Sequence, residues 1–119
     1  MTLPEEVERA AEALLAAMRK TEAFETYAAL RRQVMADEVS RRLLRRFTRA
    51  ESALRMAAAA GVEPRGEDED EFERLSALLY ESAEVSDYLL ARMNAQRLAA
   101  AVMERVAGAA DIAADIRDV

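Results

Sequence analysis

Apolar residues recur along this chain at helical spacing, and its few turn formers argue against a sheet of many short strands. Val7, Ala11, Leu14, Leu15 and Met18 fall at i, i+4, i+7, i+8 and i+11, one face of an α-helix. Thr2-Leu3-Pro4-Glu5 has capping-box spacing and puts Pro in the first turn, where its missing donor is harmless. Thr21-Glu22 restarts the chain, and Phe24, Tyr27, Ala28, Val34 and Met35 form the next stripe. Ala36-Asp37-Glu38 supplies a fresh N-cap. The third helix carries Val39, Leu43, Leu44, Phe47, Ala50, Leu54 and Ala57 and is expected to stop at Gly61.

Residues 61–70, GVEPRGEDED, read as the one real loop, with Asp68 to Glu71 placed to face the positive end of the next helix. Phe72, Leu75, Leu78 and Leu79 make that helix short. A joint near Ser82–Glu84 leads into a last long helix from about Val85 to Val106, with Gly108 as its stop; Ile112 and Ile116 could prolong it. The expected fold is therefore all-α, a bundle of about five helices, two long and three shorter. It forms a single domain over residues 1–107, followed by a tail over 108–119 that could add a short helical extension.

The two halves echo each other. Glu38-Val39-Ser40-x-x-Leu43-Leu44 recurs as Glu84-Val85-Ser86-x-x-Leu89-Leu90, which hints at duplication.

The last helix carries too much apolar surface for one covered side. Projected at the helical period, Leu98, Val102, Tyr88, Val106, Met103, Leu89, Ala100 and Met93 occupy more than half its circumference, whereas a one-sided stripe is about 100° wide. A second copy of the chain is the economical cover, so the bundle is expected to be completed by dimerisation. Phe47, Leu54, Tyr88, Leu89, Met93, Leu98 and Val102 are the candidate core or dimer-packing positions.

Composition narrows the chemistry. Among 119 residues there is no His and no Cys, so imidazole bases, thiolate nucleophiles, disulfides and the usual zinc ligands are excluded. No Ser, Thr or carboxylate has an evident activating partner, and the chain is expected to be no enzyme and to need no cofactor or metal. Glu67 to Glu71 lack the spacing of a calcium loop. The N-terminus has no basic segment followed by an apolar run, no window resembles a membrane span, and a cytoplasmic protein is expected.

Charge adds one candidate surface. The net charge is −6, yet Arg41, Arg42, Arg45, Arg46 and Arg49 crowd one polar helix face. Such a stripe could grip nucleic-acid phosphates; in an acidic chain without interleaved aromatics, a solvated face paired with the acidic second half is the preferred reading. Glu51 and Arg92 each lie on or beside an apolar face; a buried Glu51–Arg92 bridge would satisfy both, and an Arg92 that snorkels to the edge or lies at a wet interface is the equal alternative.

Together these segments resemble a known family. Thr21-Glu22-x-Phe24, Ala36-Asp37-Glu38-x-Ser40-Arg41-Arg42, Phe47 and Leu54 are similar to the first half of the YlbF/YmcA-like regulators. Leu75-x-x-Leu78-Leu79, Val85-Ser86-x-Tyr88-Leu89, Leu98 and Val102 are similar to the second. The resemblance runs from about Val7 to Val106, and the short YheA-type branch is the nearest in form. It implies a dimerising helical bacterial protein that acts without catalysis, as an accessory regulator of competence, sporulation and biofilm programmes. It also implies assembly with sister-family proteins and service to a ribonuclease complex that processes messenger RNA. Relatives that hold iron–sulfur clusters do so through cysteines, which this chain lacks, so that property does not carry over.

Overall fold

The computed structural model describes residues 2–109, and these form five helices with no strand among them. They are α1 (Glu5–Arg19), α2 (Glu22–Ala36), α3 (Glu38–Ala59), α4 (Gly66–Glu81) and α5 (Ala83–Ala109). Two are long, at 22 and 27 residues, and three are shorter, as the apolar spacing requires. The positions of Ile112 and Ile116, and most of the expected tail, lie outside the described residues.

Local chemistry explains most helix boundaries. Thr21 Oγ1 accepts the Phe24 amide at 3.4 Å and donates to the Met18 carbonyl at 2.6 Å, so one hydroxyl closes α1 and opens α2. Asp37 stands at the N-cap position of α3, and its carboxylate accepts the Ser40 hydroxyl at 2.6 Å. Ser82 caps α5, accepting the Val85 amide at 3.3 Å, while Ser86 donates to the Leu79 carbonyl at 2.9 Å. At the far end of α3, Gly61 has φ +70°. Its amide reaches the Ala58 carbonyl and the Val62 amide reaches Ala57, both at 3.1 Å, which is the Schellman pattern.

Three boundaries differ from the sequence expectation. Pro4 stands at the N-cap, one residue before the first turn, and Thr2 makes no cap bond. The Pro4 carbonyl accepts the Glu8 amide at 2.9 Å, and Glu5, Glu6 and Glu8 supply the negative charge that the first turn favours. Residues 66–70 are helical, because Glu67, Asp68 and Glu69 in the first turn of α4 offset the poor helix propensity of Gly66. Gly108 lies inside α5 and does not end it. One glycine costs a helix only about 1 kcal/mol relative to Ala, too little to stop a 27-residue element.

The chain divides into two compact units. One comprises the described residues up to Ala28 together with those from Leu90 onward; the other comprises Ala29–Leu89. The second holds the main core, in which Phe47, Ala50, Leu75, Leu79 and Val85 are buried and Leu43, Phe72 and Leu89 pack against them. The Phe47 and Phe72 rings stack with centroids 5.3 Å apart and planes 25° apart. In the other unit the buried positions are small, Ala91 and Ala95, and α1 buries no residue at all.

The sequence echo does not survive as equivalent packing. Val39 is exposed where Val85 is wholly buried, and Leu44 is buried where Leu90 is exposed. The inward face of α5 is rotated by about one residue relative to that of α3. The caps carry the same offset, Asp37 preceding Glu38 directly and Ser82 preceding Glu84 by two.

Candidate functional site

The antiparallel hairpin of α3 and α4 positions the arginine-rich face. Arg46 and Glu71 meet at 2.8 Å, and Phe47 lies level with Phe72. Arg46, Arg49, Ala50 and Ala53 then line an open groove of about 200 Å³ with Asp68 and Glu71. Leu75 and Leu79 hold α4 against Phe47 from the core side, so the polar faces of both helices turn outward.

The five arginines do not act as one uniform stripe. Arg42 pairs with Glu38 at 2.7 Å along its own helix. Arg46 bonds Glu71, whose other oxygen takes Arg74. Arg41 turns back, and its guanidinium donates to the Met35 carbonyl at 3.3 Å, where a cation suits the negative end of α2. Among the described residues Arg45 and Arg49 make no ion pair, and both are exposed. The expected face therefore divides into three arginines with partners in the chain and two that make no ion pair among the described residues.

Sequence reasoning missed two polar features nearby. Glu71 is the hub that ties α3 to α4, accepting both Arg46 and Arg74. The Asp37–Ser40 bond is the other, and the Asp-x-x-Ser spacing was the signal for it. The Ser40 hydroxyl, aided by the amides of Ser40 and Val39, holds the Asp37 carboxyl below its usual range, against a smaller opposing effect of desolvation.

The candidate packing residues separate by burial. Phe47 and Tyr88 are buried, while Leu54, Leu89, Leu98 and Val102 are half-buried. Met93 is exposed, as are Met103 at 66% and Val106 at 52%. On α1, Val7, Leu14 and Leu15 are each 40–49% exposed, so its whole apolar stripe stands partly in water. The face of α5 that is buried at Tyr88, Ala91 and Ala95 thus runs on, uncovered, to Met103 and Val106. Glu51 accepts Arg55 at 2.8 Å within α3, and Arg92 is partly buried in α5.

None of the described helices is long and apolar enough to cross a membrane. Among the described residues no group of three or more acidic side chains is placed to hold a metal ion.

Residues 7–109 match the family described as control of competence regulator ComK, YlbF/YmcA. The chain belongs to this family. The match spans all five helices apart from the first two residues of α1, so the hairpin, the exposed stripes and the boundary residues Thr21, Asp37, Gly61 and Ser82 all fall within it. It is a regulatory family linked to competence control. A search of the curated proteins returns no significant match.

Proposed function

We propose that the chain is a non-enzymatic adaptor that works through protein–protein contacts, the first of them with a second copy of itself. The observation that carries this reading is the exposed apolar stripe of α1. A helix of 15 residues with no buried side chain gains little from tertiary packing, and isolated helices of that length are marginal in water. Met93, Met103 and Val106 on α5 extend the uncovered apolar surface in the same unit. A partner that buries both would stabilise the helices and remove the exposed patch together.

Within the family, accessory regulation of competence, sporulation and biofilm programmes is the role this reading fits. Sister-family proteins and a ribonuclease complex are the further partners it points to, in the cytoplasm of a bacterial cell. A cluster-binding role is left aside for want of cysteine ligands. Nucleic-acid binding through Arg41–Arg49 is the less favoured reading, because Arg41, Arg42 and Arg46 already have protein partners.

Light scattering of wild type beside Leu14→Glu and Met103→Glu tests the reading. Wild type should run as a dimer and each variant as a single chain with helical content retained. Wild type at single-chain mass would refute it. Titration of labelled RNA at low salt tests the other reading, and binding there, lost at moderate salt, would favour it.

A further inference from the structure

Helix α1 buries no side chain within the chain, and its two halves differ in charge. Residues 5–12 carry four Glu against Arg9 alone, whereas residues 13–20 carry Arg19 and Lys20 with no acid. An apolar seam runs through both halves. Val7, Ala11, Leu14 and Met18 follow at i, i+4, i+7 and i+11, the spacing by which two helices mesh side by side. One flank of the seam holds Glu8, Glu12, Leu15 and Arg19 at the same spacing. The other holds Glu6, Ala10, Ala13 and Ala17. Among the described residues Glu8 and Arg19 make no ion pair.

From this pattern we infer that α1 pairs with α1 of a second copy, antiparallel, about a two-fold axis level with residues 12 and 13. This pairing rests on the self-association proposed above and names the helix that makes it. In that register Val7 comes level with the partner's Met18, and Ala11 with the partner's Leu14, so each shorter side chain meets a longer one. The axis turns each flank onto the same flank of the partner. Glu8 of each copy therefore approaches the partner's Arg19, and the contact occurs twice. The one like-charge neighbour is Glu12 beside its own copy, and Glu12 is exposed to water and screening ions. On the other flank three alanines let the backbones approach closely.

A parallel pair fails on each count. Ala11 would face only Ala11 and leave a gap, the acidic halves would lie side by side, and the two helix dipoles would point the same way. The partner is thus identified by the order of its charges and side-chain sizes. A helix that runs from basic to acidic against α1, with long residues where α1 has short ones, is α1 itself reversed.

Cysteine cross-linking tests the pairing, because the chain has no Cys of its own. Val7→Cys and Met18→Cys are made as separate variants, with Glu8→Cys and Arg19→Cys as a second set on the exposed flank. Circular dichroism and light scattering check that each keeps the helix content and mass of wild type. After subunit exchange, a short bis-maleimide should join Val7→Cys to Met18→Cys, and Glu8→Cys to Arg19→Cys, with mass spectrometry locating the linked peptides. Val7→Cys alone and Met18→Cys alone should stay unlinked, since each position then lies about 16 Å along the helix from its own copy. Val7→Cys linking to itself would mean a parallel pair and overturn the inference. Two-chain mass for wild type with no link in either mixture would overturn it too, because another surface, the partner's α5 included, then covers α1. Single-chain mass for wild type is the separate failure of self-association, and the pairing falls with it.

Discussion

At the scale of single residues, the strongest handles are the caps and the fully buried side chains. Asp37 has a folded-state pKa below its ordinary 3.8 because the Ser40 hydroxyl and the nearby amides favour the carboxylate. A depressed acid contributes stability that is present above its unfolded pKa and lost as pH falls through the folded value. Melts recorded from neutral pH downward should therefore lose stability below about pH 4, the range of ordinary carboxylates. Asp37→Asn should flatten the part of that loss that Asp37 supplies. Leu75 is wholly buried, so Leu75→Ala should cost about 2–5 kcal/mol in a denaturant titration. Leu54 and Leu98 are only half-buried in the chain alone, and their replacement by Ala should cost less than Leu75→Ala unless a partner covers them.

At the scale of elements, the helices were legible because their apolar residues keep helical spacing and their ends carry Thr21, Asp37, Gly61 and Ser82. Each of those residues makes the bond or adopts the backbone angle that its chemistry favours. The ends that differ from expectation have two causes. Gly66 and Gly108 resemble punctuation, but the flanking helix formers outweigh them; at Pro4 no side-chain bond fixes the register. Gly61 differs because its φ of +70° is unfavourable for any residue with a Cβ. No atom lies within 4 Å of where that Cβ would be, so Gly61→Ala should destabilise through backbone strain alone, by about 1–2 kcal/mol. A chemical melt that shows no loss would mean that the Schellman turn relaxes freely. The rotation of α5 relative to α3 was beyond reach of the heptapeptide echo. A repeated sequence preserves spacing, but the preceding cap sets which face turns inward.

At the scale of the whole molecule, membership in the competence-regulator family and the distribution of exposed apolar side chains point the same way. The excess of apolar surface on the last helix was visible in projection, and Met93, Met103 and Val106 are indeed exposed in the single chain. That α1 buries nothing was not visible, because a clean stripe says which side seeks cover and not whether the chain supplies it. The arginine face was legible as composition only. Arg42 pairs with Glu38 at i,i+4 spacing, whereas the partners of Arg41 and Arg46 depend on where Met35 and Glu71 fall in space. If the apolar stripes are the working surface, Leu14→Glu and Met103→Glu should abolish association at high salt, while Arg45→Glu with Arg49→Glu should leave the high-salt mass unchanged. The mass of the wild-type chain in high salt tests the central claim most directly. Sedimentation equilibrium should return twice 13.2 kDa for wild type across dilution, and a constant 13.2 kDa would contradict it.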